Sequence, residues 1–168
     1  MVRRRALLGC AAAVLGAPPL RAWALDAPVG PVVLSVIGRL RSPNRAGHAD
    51  FDMAMLERLP QSSFSTSTPW YSLARKFSGP LLRDVLLAAG GHGTTLRARA
   101  LNDYWVDLPF EDAQRHDPIL ATRIDDKPMA VRDKGPLFLI YPFDAKPELR
   151  NAVYYSRSAW QLRAIEIR

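Results

Sequence analysis

The sequence predicts an α+β fold, on three observations. Short strand-like and helix-like segments interleave without the regular spacing of βαβ units. One segment, Ser78 to Gly91, carries a full helix signature. From Thr94 the apolar period drops to two, as in a hairpin.

The N-terminus has to be set aside before the rest can be read. Arg3, Arg4 and Arg5 form a positive segment, Ala6 to Gly16 an apolar one, and Ala22-Trp23-Ala24 a small-x-small cleavage signal. An apolar run of that length is shorter than the roughly 20 residues that span a bilayer. The reading is residues 1–24 as a signal peptide cut near Ala24, and a periplasmic or otherwise exported chain without a stable membrane anchor. Arg4-Arg5 also suits a twin-arginine leader, and Leu7-Leu8-Gly9-Cys10 has the outline of a lipoprotein box. Residues 25–168 then form one domain, long enough to bury a core. The leader takes four arginines and no acid, so the formal charge falls from +7 to +3. That balance gives no reason to expect a nucleic-acid partner.

Along the chain, Pro31 to Leu40 is rich in β-branched residues and reads as a first strand. After a polar loop, Phe51, Met55 and Leu56 suggest a short helix, capped by Asp50 or Asp52 and ending before Pro60. Ser62 to Thr68 reads as a strand with Phe64 as its one buried side chain. In the segment from Ser78 to Gly91, Ser78 can cap, Pro80 sits in the first turn and Gly90-Gly91 can end the helix left-handed. Its face of Leu81, Leu82, Val85, Leu86 and Ala89 packs on a sheet.

Leu96, Ala98 and Ala100 then alternate with Arg97 and Arg99, and Asn102-Asp103 turns into "YWVDLP". Phe110 to His116 suits a helical turn, Ile119 to Ile124 a strand and Asp125 to Pro128 a turn. "LFLIYP" reads as a buried strand and "WQLRAIEIR" as the last one. Tyr104, Trp105 and Trp160, by residue type alone, read as core aromatics.

Much familiar chemistry is missing. Neither a dinucleotide-binding glycine pattern nor a Walker sequence occurs, so no nucleotide is expected, and no heme-attachment motif is present. His48, His92 and His116 lie far apart, in expected loops, without the close pairing of a zinc site. No G-x-S-x-G elbow marks Ser65 or Ser67 as a nucleophile. Cys10 is the only cysteine, so the processed chain would have none. No residue acquires a catalytic role, and no metal ligand set emerges.

Taken together, "FSGPLLRDVLLAAG", "ARALNDYWVDLPFEDA", "DPILATRIDDKPMAVRDKGPLFLIYP" and "SRSAWQLRAIEIR" resemble the oxidoreductase molybdopterin-binding domain, the fold of sulfite oxidase. The resemblance runs from about Val32 to the C-terminus and rests on the order of the segments. It implies a mostly antiparallel mixed sheet with short helices, "LFLIYP" lying centrally, and molybdopterin as cofactor. Catalytic members of the family hold molybdenum through one protein cysteine. The matching position falls in "STSTPW", at Thr66, Ser67 and Thr68, where no cysteine stands.

The same resemblance places Asn102, Asp103, Tyr104 and the Asp133-Lys134-Gly135-Pro136 segment beside the pterin cleft, with Arg75 or Lys134 to meet a phosphate. Two functions follow from it. One is an oxidoreductase component that exchanges electrons with a separate periplasmic redox partner. The other is a non-catalytic module that binds a small anion, a pterin or a sensory partner protein. The hydroxyl stretch admits two readings as well, an edge strand with a loop or the lining of a retained ligand pocket.

Overall fold

The computed structural model describes residues 25–168; the expected leader and Cys10 lie outside the described residues. The fold is α+β, with mostly antiparallel strands and few, short helices. Strand β1 (Val32–Gly38) is followed by β2 (His48–Asp52), α1 (Met53–Arg58), β3 (Gln61–Thr66), β4 (Arg75–Pro80) and α2 (Leu82–Ala88). Next come β5 (Thr95–Ala100), β6 (Trp105–Pro109), α3 (Asp112–Arg115), β7 (Ile119–Ala121), β8 (Arg123–Ile124) and β9 (Lys127–Pro128). Then β10 (Phe138–Ile140), α4 (Ala152–Arg157), β11 (Ala159–Trp160) and β12 (Leu162–Ile167) complete the chain. Among the described residues no helix is long and apolar enough to cross a membrane.

The strands form three sheets, ordered β2-β1-β12-β5-β6, β11-β10-β7 and β3-β4-β8-β9. Among the described residues only β1 and β12 run parallel. Leu82, Val85, Leu86, Leu139 and Ile140, the expected core positions, are all buried. "LFLIYP" is central as expected, but in the three-stranded sheet. Leu137 to Phe143 is buried almost throughout, and β10 is flanked by β7 and β11.

Several expectations change. Ser78 does not cap a helix: Ser78, Gly79 and Pro80 end strand β4, and α2 begins after Leu81, which makes no side-chain cap bond and is only half-buried. Gly90, with φ of 63°, does end it left-handed. Phe51 belongs to a strand, β2, that went unread because its sequence is mostly polar. Asp52, and not Asp50, caps α1. In β3 the fully buried side chain is Thr66, and Phe64 is half-buried. His48 is strand, not loop. Tyr104 and Trp105 are about half exposed, 51% and 50%, so neither is core. Trp160 is half-buried.

Two stretches that read as single strands are each broken and shared between sheets. Ile119 to Ile124 bends at Thr122, so β7 joins β10 while β8 joins β4. Trp160 and Leu162 are separated by Gln161 in the left-handed region, φ 52°, so β11 joins β10 and β12 joins β1 and β5. The Asp125-Asp126 turn has both residues left-handed, the pair of signs that a two-residue hairpin matches to strand twist.

Asp52 also ties down the start of the domain. Its Oδ2 accepts from the N–H groups of Val29 and Gly30, and its Oδ1 from Met55 N–H. The Gly30 and Met55 N–H groups, then Val29 and Arg58, hold its carboxyl below the usual carboxylate range against the opposing effect of burial. A depressed folded-state value stabilises the fold above the unfolded value, near pH 4, and the contribution is lost as pH falls through the folded value. Asp52→Asn is therefore expected to lower the urea midpoint at neutral pH, and the gap to the parent protein to close in strong acid. A constant gap across that range would exclude the ionised carboxylate as the cause.

Candidate functional site

Two clefts open on either side of an aromatic wall. Trp70 and Trp160 meet edge to face with centroids 5.5 Å apart, and Trp70 contributes to both clefts. Trp70 comes from the loop after β3, whose pairing with β4 ends at Thr66 and so before Pro69, and Trp160 from the short strand β11. Trp70 packs further on Phe138 (5.6 Å) and Tyr155 (6.1 Å), so the wall is fixed to the core.

The first cleft, of about 530 Å³, is basic. Arg75 enters it from β4, Lys127 from β9, and Arg132 and Lys134 from the segment before β10; Tyr71, Trp70 and Met129 supply apolar wall, and Asp133 one carboxylate. Lys134 adopts a left-handed conformation, φ 72°, which ends the short turn Val131–Asp133. Its Nζ lies 4.7 Å from the Trp160 ring centroid and 5.8 Å from that of Tyr71. Arg75 Nε stands 2.6 Å from Asp125 Oδ2 without the alignment of a hydrogen bond, so the pair is ionic in character and the N–H stays unused. Arg132 reaches Asp133 at 3.5 Å, while Lys127 and Lys134 make no ion pair among the described residues. Burial raises the Tyr71 phenol above its ordinary value; Arg75 pulls it back and Asp133 and Asp125 push it further. The cleft thus presents cations and a phenol that stays protonated near neutral pH, the composition that attracts an anion.

The second cleft, of about 550 Å³, has no charged side chain in its lining. Trp70, Tyr104, Tyr155 and Trp160 provide four aromatic surfaces, with Asn102 at the β5–β6 turn and Ser156 and Ser158 at the end of α4. Asn151 caps α4 by accepting from Val153 and Tyr154 N–H groups, and Ala152, Tyr155 and Ser156 of that helix line the cleft. Leu101 and Asp103 flank Asn102; Asp103 is left-handed, φ 63°, and turns outward to pair with Arg163 at 2.5 Å.

The residues suggested by the resemblance are therefore divided. Arg75 and Lys134 share the basic cleft, Asn102 and Tyr104 the aromatic one, and Asp103 neither. Thr66, Ser67 and Thr68 line neither cleft. Thr66 is buried; its hydroxyl accepts from Asp144 N–H (3.0 Å) and points to the Ser67 carbonyl (3.4 Å). Ser67 donates both its N–H (3.0 Å) and its hydroxyl (3.1 Å) to Asp144, and Thr68 accepts from Trp70 N–H (3.3 Å).

Burial raises the Asp144 carboxyl, but the Ser67 N–H, Arg150 at 2.6 Å and the Ser67 hydroxyl outweigh it, so the net direction is down. An ionised Asp144 thus clamps the hydroxyl loop from the far side of the sequence. β3 lies at the edge of its sheet, in agreement with the edge-strand reading.

Sequence pattern assigns no site role to Lys127, Arg132, Tyr71 or Tyr155, and Trp70 reads from it as a cover for the core, which its packing on Phe138 agrees with. Lys127 and Arg132 stand seven and two positions before Lys134, so the basic spacing in "DDKPMAVRDKG" is the sequence signal for this cleft. His48, His92 and His116 stay apart, and among the described residues no cluster of three metal-ligating side chains forms. His92 is exposed in a loop, as its glycine-rich setting suggests, whereas His116 is half-buried and bonded to Tyr154 at 3.2 Å.

The chain matches no protein-family model, and no curated protein is significantly similar to it.

Proposed function

We propose that this chain is an exported binding protein with a molybdopterin-binding-domain type of fold, and that its basic cleft takes a small anion, of which a pterin phosphate is one, without thiolate-molybdenum catalysis. The observation that carries this reading is the convergence of Arg75, Lys127, Arg132 and Lys134 on one cleft walled by Trp70 and Tyr71. With Asp125 paired to Arg75 and Asp133 to Arg132, Lys127 and Lys134 remain without an ion pair among the described residues, an excess positive charge that a phosphate or carboxylate would neutralise.

The metal part of the cofactor does not fit the residues present. Where the family places its thiolate, this chain has three hydroxyls committed to Asp144, Ser67 and Trp70. A hydroxyl so engaged is a hard, neutral donor, and the oxo-metal centre calls for a soft anionic one. The phosphate part does fit, through the basic cleft. The redox alternative, with a separate electron-transfer partner, draws its support from the twin-arginine-compatible leader, since that route exports proteins already folded around a cofactor.

Two measurements test the proposal. Elemental and pterin analysis of the native protein should return molybdenum at background, whereas stoichiometric molybdenum would reject the non-catalytic reading. Titration with inorganic phosphate and pyrophosphate should show saturable binding. The exposed changes Lys127→Ala and Arg132→Ala should each weaken it about tenfold, the worth of one charge-assisted hydrogen bond at about 1.5 kcal/mol. Unchanged affinity in the double variant would remove the basic cleft from consideration.

A further inference from the structure

The second cleft supports a conclusion independent of the first. Its four aromatic surfaces enclose about 550 Å³, within the size range of small-molecule sites, and no charge faces it. Tyr104 is 51% exposed at its edge, and Val153, next to the lining residue Ala152, is 52% exposed. The apolar walls of this opening are surface that a bound ring would remove from water.

The polar groups narrow the occupant. Ser156 Oγ donates to Val153 O at 2.7 Å and Ser158 Oγ to Tyr154 O at 3.1 Å, so both serine protons are spent on the helix end. Asn102 Oδ1 accepts from Tyr104 N–H at 3.2 Å, which fixes the amide with its NH₂ group directed away from that bond. That NH₂ group and the hydroxyls of Tyr104 and Tyr155 have no hydrogen-bond partner among the described residues. The cleft therefore offers flat apolar walls and hydrogen-bond donors, without a cation to attract a charged group.

We propose that this cleft binds an uncharged planar ring that carries carbonyl oxygens at its edge. The rings of Trp70, Tyr104, Tyr155 and Trp160 would provide stacking and edge contacts, and Asn102 would donate to a carbonyl. Two sources share this chemistry, a quinone and a neutral heteroaromatic dione. The assignment goes beyond the anion reading and uses different residues.

Tryptophan emission reports binding directly, because Trp70 and Trp160 line the cleft. The probes are menadione for the quinone, lumazine at a mildly acidic pH for the neutral dione, and a naphthalene sulfonate as an anionic ring. Saturable quenching is expected with one or both uncharged rings, and their ranking identifies the source. Tyr104→Ala and Asn102→Asp, both at exposed positions, should each weaken binding tenfold or more at an unchanged melting temperature. The double change Lys127→Ala with Arg132→Ala should leave menadione binding intact while removing phosphate binding, so the two readings fail separately. Three results would overturn the proposal: no saturable quenching by either uncharged ring, full affinity in Asn102→Asp, or a sulfonate that binds as tightly as menadione.

Discussion

Replacement of Asp112 by Ala is expected to lower the unfolding free energy by about 2–4 kcal/mol, the range for a buried charge pair that loses one partner when the other retains some access to water. Asp112 is 3% exposed in the first turn of α3. Its Oδ2 accepts from Tyr141 Oη and from Arg157 Nη1, both at 2.8 Å. Burial, then the Asp112 charge and hydrogen bond, raise the Tyr141 phenol far above its ordinary value, so it is a protonated donor near neutral pH.

Removing the carboxylate leaves that phenol unsatisfied in the core, and leaves Arg157, one-fifth exposed, to find water at the surface. Asp112→Asn keeps an acceptor oxygen and should cost about 1 kcal/mol, a typical single hydrogen bond. Arg157→Leu combined with Asp112→Ala should cost less than the two changes summed, because the stranded cation is gone. Chemical denaturation with linear extrapolation measures the parent, the three single variants and the double variant. A loss below about 0.5 kcal/mol in Asp112→Ala, the level of an ordinary surface change, would show the network to be dispensable. The functional link runs through α4, because Arg157 ends the helix that carries Tyr155, Ser156 and Ser158 into the aromatic cleft.

The same network shows where sequence reading stops. Asp112, Tyr141 and Arg157 are separated by 29 and 45 positions in the two bonds they share, and no local pattern pairs them. Local patterns did serve where one face or one turn decides the outcome. The alternation from Leu96 to Ala100 put apolar residues inward and arginines outward, and the apolar length of "LFLIYP" identified a central buried strand. Asn102-Asp103 and Asp125-Asp126 turned as short polar residues that tolerate positive φ do.

Two of the strand failures share one cause, because the chain changes sheets inside an apparently continuous strand, at Thr122 and again at Gln161. Hydrophobic periodicity sees the extended backbone on both sides of such a break but not the partner, which is chosen by long-range packing. The site was legible to the same extent. Arg75 and Lys134 were identifiable as cations near the expected cleft. That Trp70 and Trp160 divide the space in two depends on β11 pairing with β10, which is tertiary information. The hydroxyl loop misled for a long-range reason: Thr66 and Ser67 look like free hydroxyls until Asp144, 77 positions on from Ser67, is placed against them.

Gly79 joins the largest of these misreadings to a second strong expectation. In sequence, Ser78-Gly79-Pro80 has the form of a helix start, yet its residues are extended and packed against a neighbouring strand, with Thr122 N–H donating to Ser78 O at 2.9 Å and Leu81 bridging Ile119. Gly79 is buried and its φ lies outside the left-handed region, so backbone freedom is not the reason for a glycine there. Space is the reason: a Cβ at this position would stand 2.1 Å from Leu120 O and 3.0 Å from Ala121 Cα.

Those atoms belong to the backbone of β7, which is hydrogen-bonded to β10 and cannot rotate aside as a side chain could. Accommodating even one methyl group would require β4 and β7 to separate where two sheets meet. Gly79→Ala is therefore expected to cost about 3 kcal/mol or more, at or above the upper end of ordinary overpacking. For a domain of this size that corresponds to a fall in melting temperature on the order of 10 °C. Ser78→Ala, one residue earlier and with no side-chain hydrogen bond, should change stability by less than about 0.5 kcal/mol. A Gly79→Ala protein that melts within a degree or two of the parent would mean that β4 and β7 do not approach this closely, and the junction between their sheets would have to be redrawn.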